Sequence, residues 1–148
     1  LADFDLSFDI CIKHHQLANV VKFVSLCPDV RFVLDHIGKP DIKNGLLHPW
    51  KEDMKDLADL PNVWCKISGV ATEADHQSWT REDLRPYILH AIDCFGFDRV
   101  FYAGDWPVAT LATDYCRWVE TLEWCVQDAS EHELRKLFHD SAAAFYRL

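Results

Sequence analysis

The sequence lacks the features that mark several large classes of protein. No run approaches the roughly 18 apolar residues that a membrane-spanning helix needs, and the opening residues LADFDLSFDI contain no basic segment typical of a signal peptide. No basic run occurs anywhere, and the formal net charge of -9 argues against a phosphate-backbone partner. These absences predict a soluble cytoplasmic protein with no membrane or nucleic-acid partner.

Glycine and paired cysteine are also scarce. The five glycines are dispersed, so no glycine-rich phosphate loop follows the first predicted strand. The six cysteines include no C-x-x-C pair and mostly have apolar neighbours. This pattern predicts buried free thiols and excludes a disulfide framework or a zinc knuckle.

The composition that is present is that of one folded domain. The chain has 148 residues, of which 49% are hydrophobic, enough to build a core. It begins at Leu1, without Met, and enters a strand-like segment almost at once. We therefore expect it to be part of a longer protein.

Strand-like and helix-like segments alternate along the chain. Short β-branched and apolar runs predict strands at 6–12, 30–34, 63–68 and 99–103. Apolar residues at helical spacing predict helices at 17–24, 50–60, 80–95, 115–126 and 130–138, with capping boxes at Thr80–Asp83 and Ser130–Glu133. Such alternation predicts an α/β fold with a parallel sheet and right-handed crossovers.

The choice is between an open doubly wound sheet and a barrel. The absence of a phosphate loop favours the barrel, but a closed (β/α)8 TIM barrel needs eight strands and about 250 residues. Four strand-helix units fit half of one. We therefore predict that residues 1–148 form about four βα units of a (β/α)8 barrel.

Polar residues at strand C-terminal ends are the best catalytic candidates in such folds. Asp35 and His36 follow the second predicted strand, and Asp105 follows the fourth. A carboxylate there can ligate a divalent cation or accept a proton from water, and an imidazole can bind metal or polarise a carbonyl. The alternatives are that Asp35 and His36 only hold a loop and that Asp105 only caps a turn.

Other residues are candidates for substrate binding. Lys66 lies in an otherwise apolar strand, where an ammonium needs a partner; it either points toward a carboxylate or substrate or extends its head to solvent. His15 follows the first strand and Lys39 follows the second, where a lysine suits an anionic group. Trp79 and Trp106, in loops on the same side, could pack on a ligand ring, Trp106 being the better candidate.

Four segments together resemble the amidohydrolase-related lactonases. They are DHIGKP (35–40), VWCKISGV (63–70), FGFDRVFYAGDWPV (95–108) and SAAAFYRL (141–148). The resemblance covers nearly the whole chain and implies the last four strands of a (β/α)8 barrel. It also implies hydrolysis of a sugar-acid or pyrone-dicarboxylate lactone, with Asp105 activating water and His36 as its active-site partner.

The resemblance also implies a His-x-His pair on the first barrel strand, which this chain does not contain. A catalytic zinc usually takes three protein ligands, and this chain offers two good candidates, His36 and Asp105. We expect either no cofactor or a single divalent metal such as zinc, bound weakly by this chain alone.

Two other functions are open. A decarboxylase of the same superfamily would use a similar histidine and aspartate around a metal, acting on an aromatic carboxylic acid. Alternatively, the chain is an inert half-barrel that forms a homo-oligomer, because four parallel strands leave two unpaired edges and an unclosed apolar interior.

Overall fold

The structure is a computed structural model that describes all residues, 1–148, and it contains a four-stranded parallel sheet. The strands are β1 (Ser7–Ile10), β2 (Arg31–Leu34), β3 (Val63–Ile67) and β4 (Val100–Tyr102), in the spatial order β1-β2-β3-β4. All three strand pairs are parallel. The predicted α/β fold with four βα units is confirmed.

Helices connect and flank the strands. They are α1 (Leu17–Ser25), α2 (Trp50–Ala58), α3 (Arg81–Phe95), α4 (Tyr115–Cys125), α5 (Glu131–Arg135) and α6 (Ser141–Tyr146). Both predicted capping boxes form, at the starts of α3 and α5. The end predicted at Phe138 is wrong: a π-helical segment, Lys136–Asp140, joins α5 to α6. No glycine or proline interrupts this region, so the helical backbone continues to Tyr146.

The strands are shorter than predicted. Cys11 and Ile12 lie beyond the end of β1, and Ser68 lies beyond the end of β3. These three residues belong instead to the loops at the C-terminal edge of the sheet. The shortening matters because it places Cys11 and Ser68 among the loop residues that surround His36.

The two faces of the sheet pack against different helices. One face contributes Phe32, Leu34, Cys65 and Ile67 to a large core shared with α1 to α4. On the opposite face, Phe145 of α6 packs on Val33 and Phe101. The apolar interior that the sequence predicted to be unclosed is therefore partly covered by the chain's own last helix.

Both outer strands keep one unpaired edge, as expected for an open four-stranded sheet. Phe8, Ile10 and Ile12 line an apolar groove of about 340 Å³ along β1, together with residues of α1. None of the helices combines the length and the hydrophobicity required to cross a bilayer.

All six cysteines are free thiols, as predicted, but the prediction that they are buried holds for only some of them. Cys65 and Cys125 are buried, whereas Cys11 and Cys116 are exposed. Cys11 is exposed because it follows the end of β1, and Cys116 because it lies in the first turn of α4, outside that helix's buried stripe.

Candidate active site

The candidate site lies where three neighbouring strands end. His36 follows β2, Ser68 follows β3 and Asp105 lies three residues beyond β4. Because these strands are parallel and adjacent, their C-terminal ends meet at one edge of the sheet. Side chains that are 32 to 69 positions apart in sequence are thus brought together.

His36 and Asp105 form the central pair. His36 Nε2 lies 3.7 Å from Asp105 Oδ1, and the two side chains are only 17% and 11% exposed. The Asp105 carboxylate makes no hydrogen bond within the chain and caps no turn, unlike Asp114, which caps α4. A carboxylate that makes no hydrogen bond to a loop and lies next to an imidazole is free to accept a proton from a bound molecule.

Burial shifts the titration of both groups toward their neutral forms. For Asp105, desolvation raises the pKa, while the nearby charges of His36 and Lys39 oppose that shift. For His36, desolvation lowers the pKa against the opposing effect of Asp105 and Asp35. A carboxylate with a raised pKa is a stronger base, and a histidine with a lowered pKa is a neutral imidazole at neutral pH.

The backbone at both residues is in the left-handed region, which is unusual for residues other than glycine. The φ angles are 57° at His36, 46° at Ile37 and 52° at Asp105. The turn at His36 is held by the buried Trp50 Nε1, which donates to the Ile37 carbonyl at 2.8 Å. Such strained residues, held in place by surrounding contacts, cluster at functional sites.

Ser68 and Gly69 form the support of the imidazole, and sequence reasoning missed both. The fully buried Ser68 places its Oγ 2.9 Å from His36 Nδ1. Gly69 has φ +59°, and a Cβ there would lie 2.6 Å from the same ring nitrogen. The sequence signal for both was their place in the segment VWCKISGV (63–70), at the end of the strand next to the one that precedes His36.

Lys66 takes the first of its two predicted alternatives, pairing with carboxylates. Its Nζ lies 2.5 Å from Asp9 Oδ2 and 2.9 Å from Asp35 Oδ1. Burial alone would lower the Lys66 pKa, but hydrogen bonds with Asp9, Tyr146 and Asp35 raise it overall. The Lys66 ammonium is therefore already paired with carboxylates of the chain itself, two residues before Ser68.

The other predicted binding residues surround the pair less closely. Lys39 lowers the pKa of both His36 and Asp105 through its charge, so it lies within electrostatic reach. His15 is exposed and packs edge-on against His14. Trp106 is 77% exposed, whereas Trp79 is buried and donates to the Ala112 carbonyl, which makes it part of the core.

Comparison with known proteins identifies the family to which this chain belongs. The amidohydrolase family profile matches residues 1–148. The chain is 36% identical to the protein y4mH of Sinorhizobium fredii over 148 residues, covering 100% of this chain and 49% of y4mH. It is also 36% identical to an L-fucono-1,5-lactonase of Burkholderia ambifaria, covering 97% of this chain and 51% of that enzyme.

A solved structure agrees in fold. An amidohydrolase from Burkholderia multivorans, crystallised with bound zinc, matches with a TM-score of 0.95 and 32% identity. The match covers 100% of this chain and 55% of that one. The chain therefore belongs to the amidohydrolase family, and it spans about half the length of the relatives it matches, in their C-terminal portion.

Proposed function

We propose that the protein to which this chain belongs hydrolyses a lactone, with Asp105 as general base and His36 as the electrophilic partner. The observation that carries the proposal is the largely buried pair of His36 and Asp105, 3.7 Å apart at the ends of parallel strands. Support also comes from the relatives, which include lactonases 36% and 35% identical to this chain.

The first step is the attack of water on the ring ester carbonyl. The Asp105 carboxylate accepts a proton from the water as its oxygen bonds to the carbonyl carbon. The carbonyl π pair moves onto oxygen, and the resulting negative charge needs a hydrogen-bond donor. Ser68 Oγ lies 2.9 Å from Nδ1. The proposed mechanism requires the Ser68 hydroxyl to donate to Nδ1, so that the neutral imidazole carries its proton on Nε2 and donates to that carbonyl oxygen.

The second step opens the ring. The tetrahedral adduct expels the ring oxygen, and the proton held by Asp105 returns to that leaving group. The product is the open hydroxy acid, and both side chains regain their starting protonation states. Lys39, whose charge reaches both members of the pair, is placed to attract the carboxylate of an acidic substrate or product.

The site fits part of the ligand set of a divalent metal such as zinc. His36 and Asp105 would hold such an ion, since they supply an imidazole and a carboxylate, both common zinc ligands, 3.7 Å apart. When bound, such an ion would act as a Lewis acid at the ester carbonyl. Because catalytic zinc usually takes three protein ligands, His36 and Asp105 alone would hold it weakly.

We further propose that residues 1–148 are the C-terminal half of a (β/α)8 barrel, with His15 and Trp106 on the rim of the substrate site. The unpaired edges of β1 and β4 support this proposal, since a barrel is closed by further strands at such edges. No specific contact favours the decarboxylase or the self-associating half-barrel over the lactonase.

The test is an assay with two substrate classes. The purified protein is given a panel of sugar-acid and pyrone lactones and a panel of aromatic carboxylic acids, with and without a chelator. Ring opening that His36→Gln and Asp105→Asn abolish supports the proposal. Decarboxylation without ring opening, or no activity in a folded sample, would overturn it, and the mass in solution then tests self-association.

A further inference from the structure

Two carboxylates, not one, lie beside the His36 imidazole. Asp105 Oδ1 lies 3.7 Å from Nε2, and a carboxylate oxygen of Asp35 lies within 4.8 Å of a ring nitrogen. The two acidic side chains are similarly buried, with 16% of Asp35 and 11% of Asp105 exposed. Proximity and burial therefore do not decide which of the two is available as a base.

The two carboxylates differ in their partners. Lys66 Nζ lies 2.9 Å from Asp35 Oδ1, so an ammonium matches the negative charge of Asp35. Asp105 lies next to His36 and has no lysine or arginine within ion-pairing distance. A carboxylate paired with a largely buried ammonium is a poor proton acceptor, because protonation would leave the ammonium without its counter-charge. Of the two, Asp105 is therefore the one that is free to accept a proton.

Lys66 is itself held in place by two further residues. Asp9 Oδ2 lies 2.5 Å from Nζ and accepts a hydrogen bond from the Tyr146 hydroxyl at 2.8 Å. The ammonium also lies 5.7 Å from the centre of the Tyr146 ring, within the range of a cation–π contact. Asp9 belongs to β1, Lys66 to β3 and Tyr146 to α6, so three elements of the fold together hold the ammonium against Asp35.

The charges of Asp35 and Lys66 both reach the imidazole. Burial is the main cause that lowers the His36 pKa, and among the nearby charges Asp35 raises that pKa while Lys66 lowers it. Without Lys66, the Asp35 carboxylate would be buried and without a partner, which is costly. The ring N–H of His36 is a donor close by, and Asp35 would compete with Asp105 and the substrate for it.

We infer that Lys66 is a positioning residue, which holds Asp35 away from His36 and so leaves the imidazole to Asp105 and the substrate. Asp9 and Tyr146 act one step further away, by fixing the ammonium, and they join the last helix to the active site. The expected effect on the rate rests on the proposed lactone hydrolysis. The structural part, that Lys66 keeps Asp35 from the imidazole, does not.

Steady-state kinetics test the effect on the rate. Lys66→Met should lower kcat for lactone opening about 10- to 100-fold, the range that lost supporting contacts produce around functional histidines, with little change in KM. Adding Asp35→Asn to Lys66→Met should restore most of the loss, because the competing charge is then gone. Lys43→Met is the matched control, since Lys43 pairs with Asp75 at 3.4 Å and not with Asp35. A folded double variant as slow as Lys66→Met would overturn the inference.

Nuclear magnetic resonance of the His36 imidazole gives a readout that needs no substrate. Its ¹⁵N signals, assigned by their absence in His36→Gln, should shift in Lys66→Met, return toward their native positions in the double variant and stay in place in Lys43→Met. If Lys66→Met does not fold, Lys66→Gln takes its place in both comparisons. Unchanged signals in the Lys66 variant would overturn the inference. This result does not depend on whether the native protein opens lactones, so it separates a failure of the inference from a failure of the proposed function.

Discussion

The buried Ser68 hydroxyl lies 2.9 Å from Nδ1 of His36, on the side of the ring opposite to the nitrogen that faces Asp105. One nitrogen of the imidazole, Nδ1, contacts Ser68, and the other, Nε2, faces Asp105 and the proposed substrate. A hydrogen bond at one ring nitrogen sets the tautomer, and so determines whether the other nitrogen can donate. Ser68 is in this sense a positioning residue for the proposed electrophile.

Ser68→Ala is expected to lower kcat about 10- to 100-fold, in the range that lost supporting contacts produce around functional histidines. KM should change little, because Ser68 does not contact the substrate in the proposed mechanism. Ser25→Ala, at an exposed hydroxyl in α1, is the matched control. Steady-state kinetics of the two variants provide the check. An unchanged kcat in Ser68→Ala would show that Ser68 does not position His36 for the reaction.

Gly69→Ala tests how closely the backbone approaches His36. An added methyl group would meet the imidazole at 2.6 Å and would also sit at φ +59°. Gly45→Ala is the matched control, because Gly45 has φ +66° and no atom within 4 Å of the added carbon.

Both glycine variants lose about 1–2 kcal/mol of unfolding free energy from the left-handed backbone. Only Gly69→Ala should lose more and lose lactone hydrolysis as well, because only there must the imidazole move. Urea unfolding measures the first effect and an activity assay the second. Equal behaviour of the two variants would show that the Gly69 contact is unimportant.

Lys66→Met is expected to destabilise the protein by roughly 1–3 kcal/mol. Removing one partner of a fully buried ion pair costs about 3–5 kcal/mol, and the lower range allows for the 39% exposure of Asp9. Lys22→Met, at an exposed position in α1, serves as control and should change stability by less than about 0.5 kcal/mol. A Lys66→Met protein as stable as the native one would mean that the Lys66 ammonium makes no net contribution to the free energy of unfolding.

The capping box of α5 makes stability depend on pH. Hydrogen bonds from the Ser130 hydroxyl and backbone lower the Glu133 pKa below its ordinary value. Because the folded pKa lies below the unfolded one, the contribution is complete above the unfolded pKa and is lost as pH falls through the folded one. Glu133→Gln should therefore lower Tm at pH 7, and the difference should disappear in acid.

Thermal unfolding between pH 7 and pH 3 checks this expectation. Glu131→Gln, two residues earlier in the same first turn and outside the capping box, is the comparison variant. A Tm difference for Glu133→Gln that persisted unchanged at low pH would exclude the carboxylate as its source.

The parallel sheet and the meeting of His36 with Asp105 were predictable, because parallel strands in sequential order force their C-terminal ends together. Lys66 was identified as a residue that needs a partner, but its partners Asp9 and Tyr146 come from strand β1 and helix α6. Periodicity assigns residues to elements and cannot show which elements face each other across the sheet. Ser68 was hidden for the same reason, since one serine after a strand carries no chemical signal until the neighbouring strand places His36 beside it.

The helix α6 shows a second limit of the sequence. Its residues Phe145 and Tyr146 were noted as part of a family-like ending, yet the ending gave no sign of packing on the sheet face opposite α1 to α4. That contact joins residues more than 100 positions apart, Val33 and Phe145, and depends on the whole chain having folded around β4. Long-range packing of this kind is decided by which surfaces remain uncovered, not by local pattern.

The most direct test of the central claim compares lactone hydrolysis by the native protein, Asp105→Asn and Asp128→Asn. Asp128 is an exposed carboxylate in the loop after α4, so its substitution controls for the change of charge. The proposed general base requires Asp105→Asn to lose about 10²- to 10⁴-fold in kcat while Asp128→Asn stays at the native rate. A folded Asp105→Asn protein that opened lactones as fast as the native one would contradict the assignment of Asp105 and the mechanism built on it.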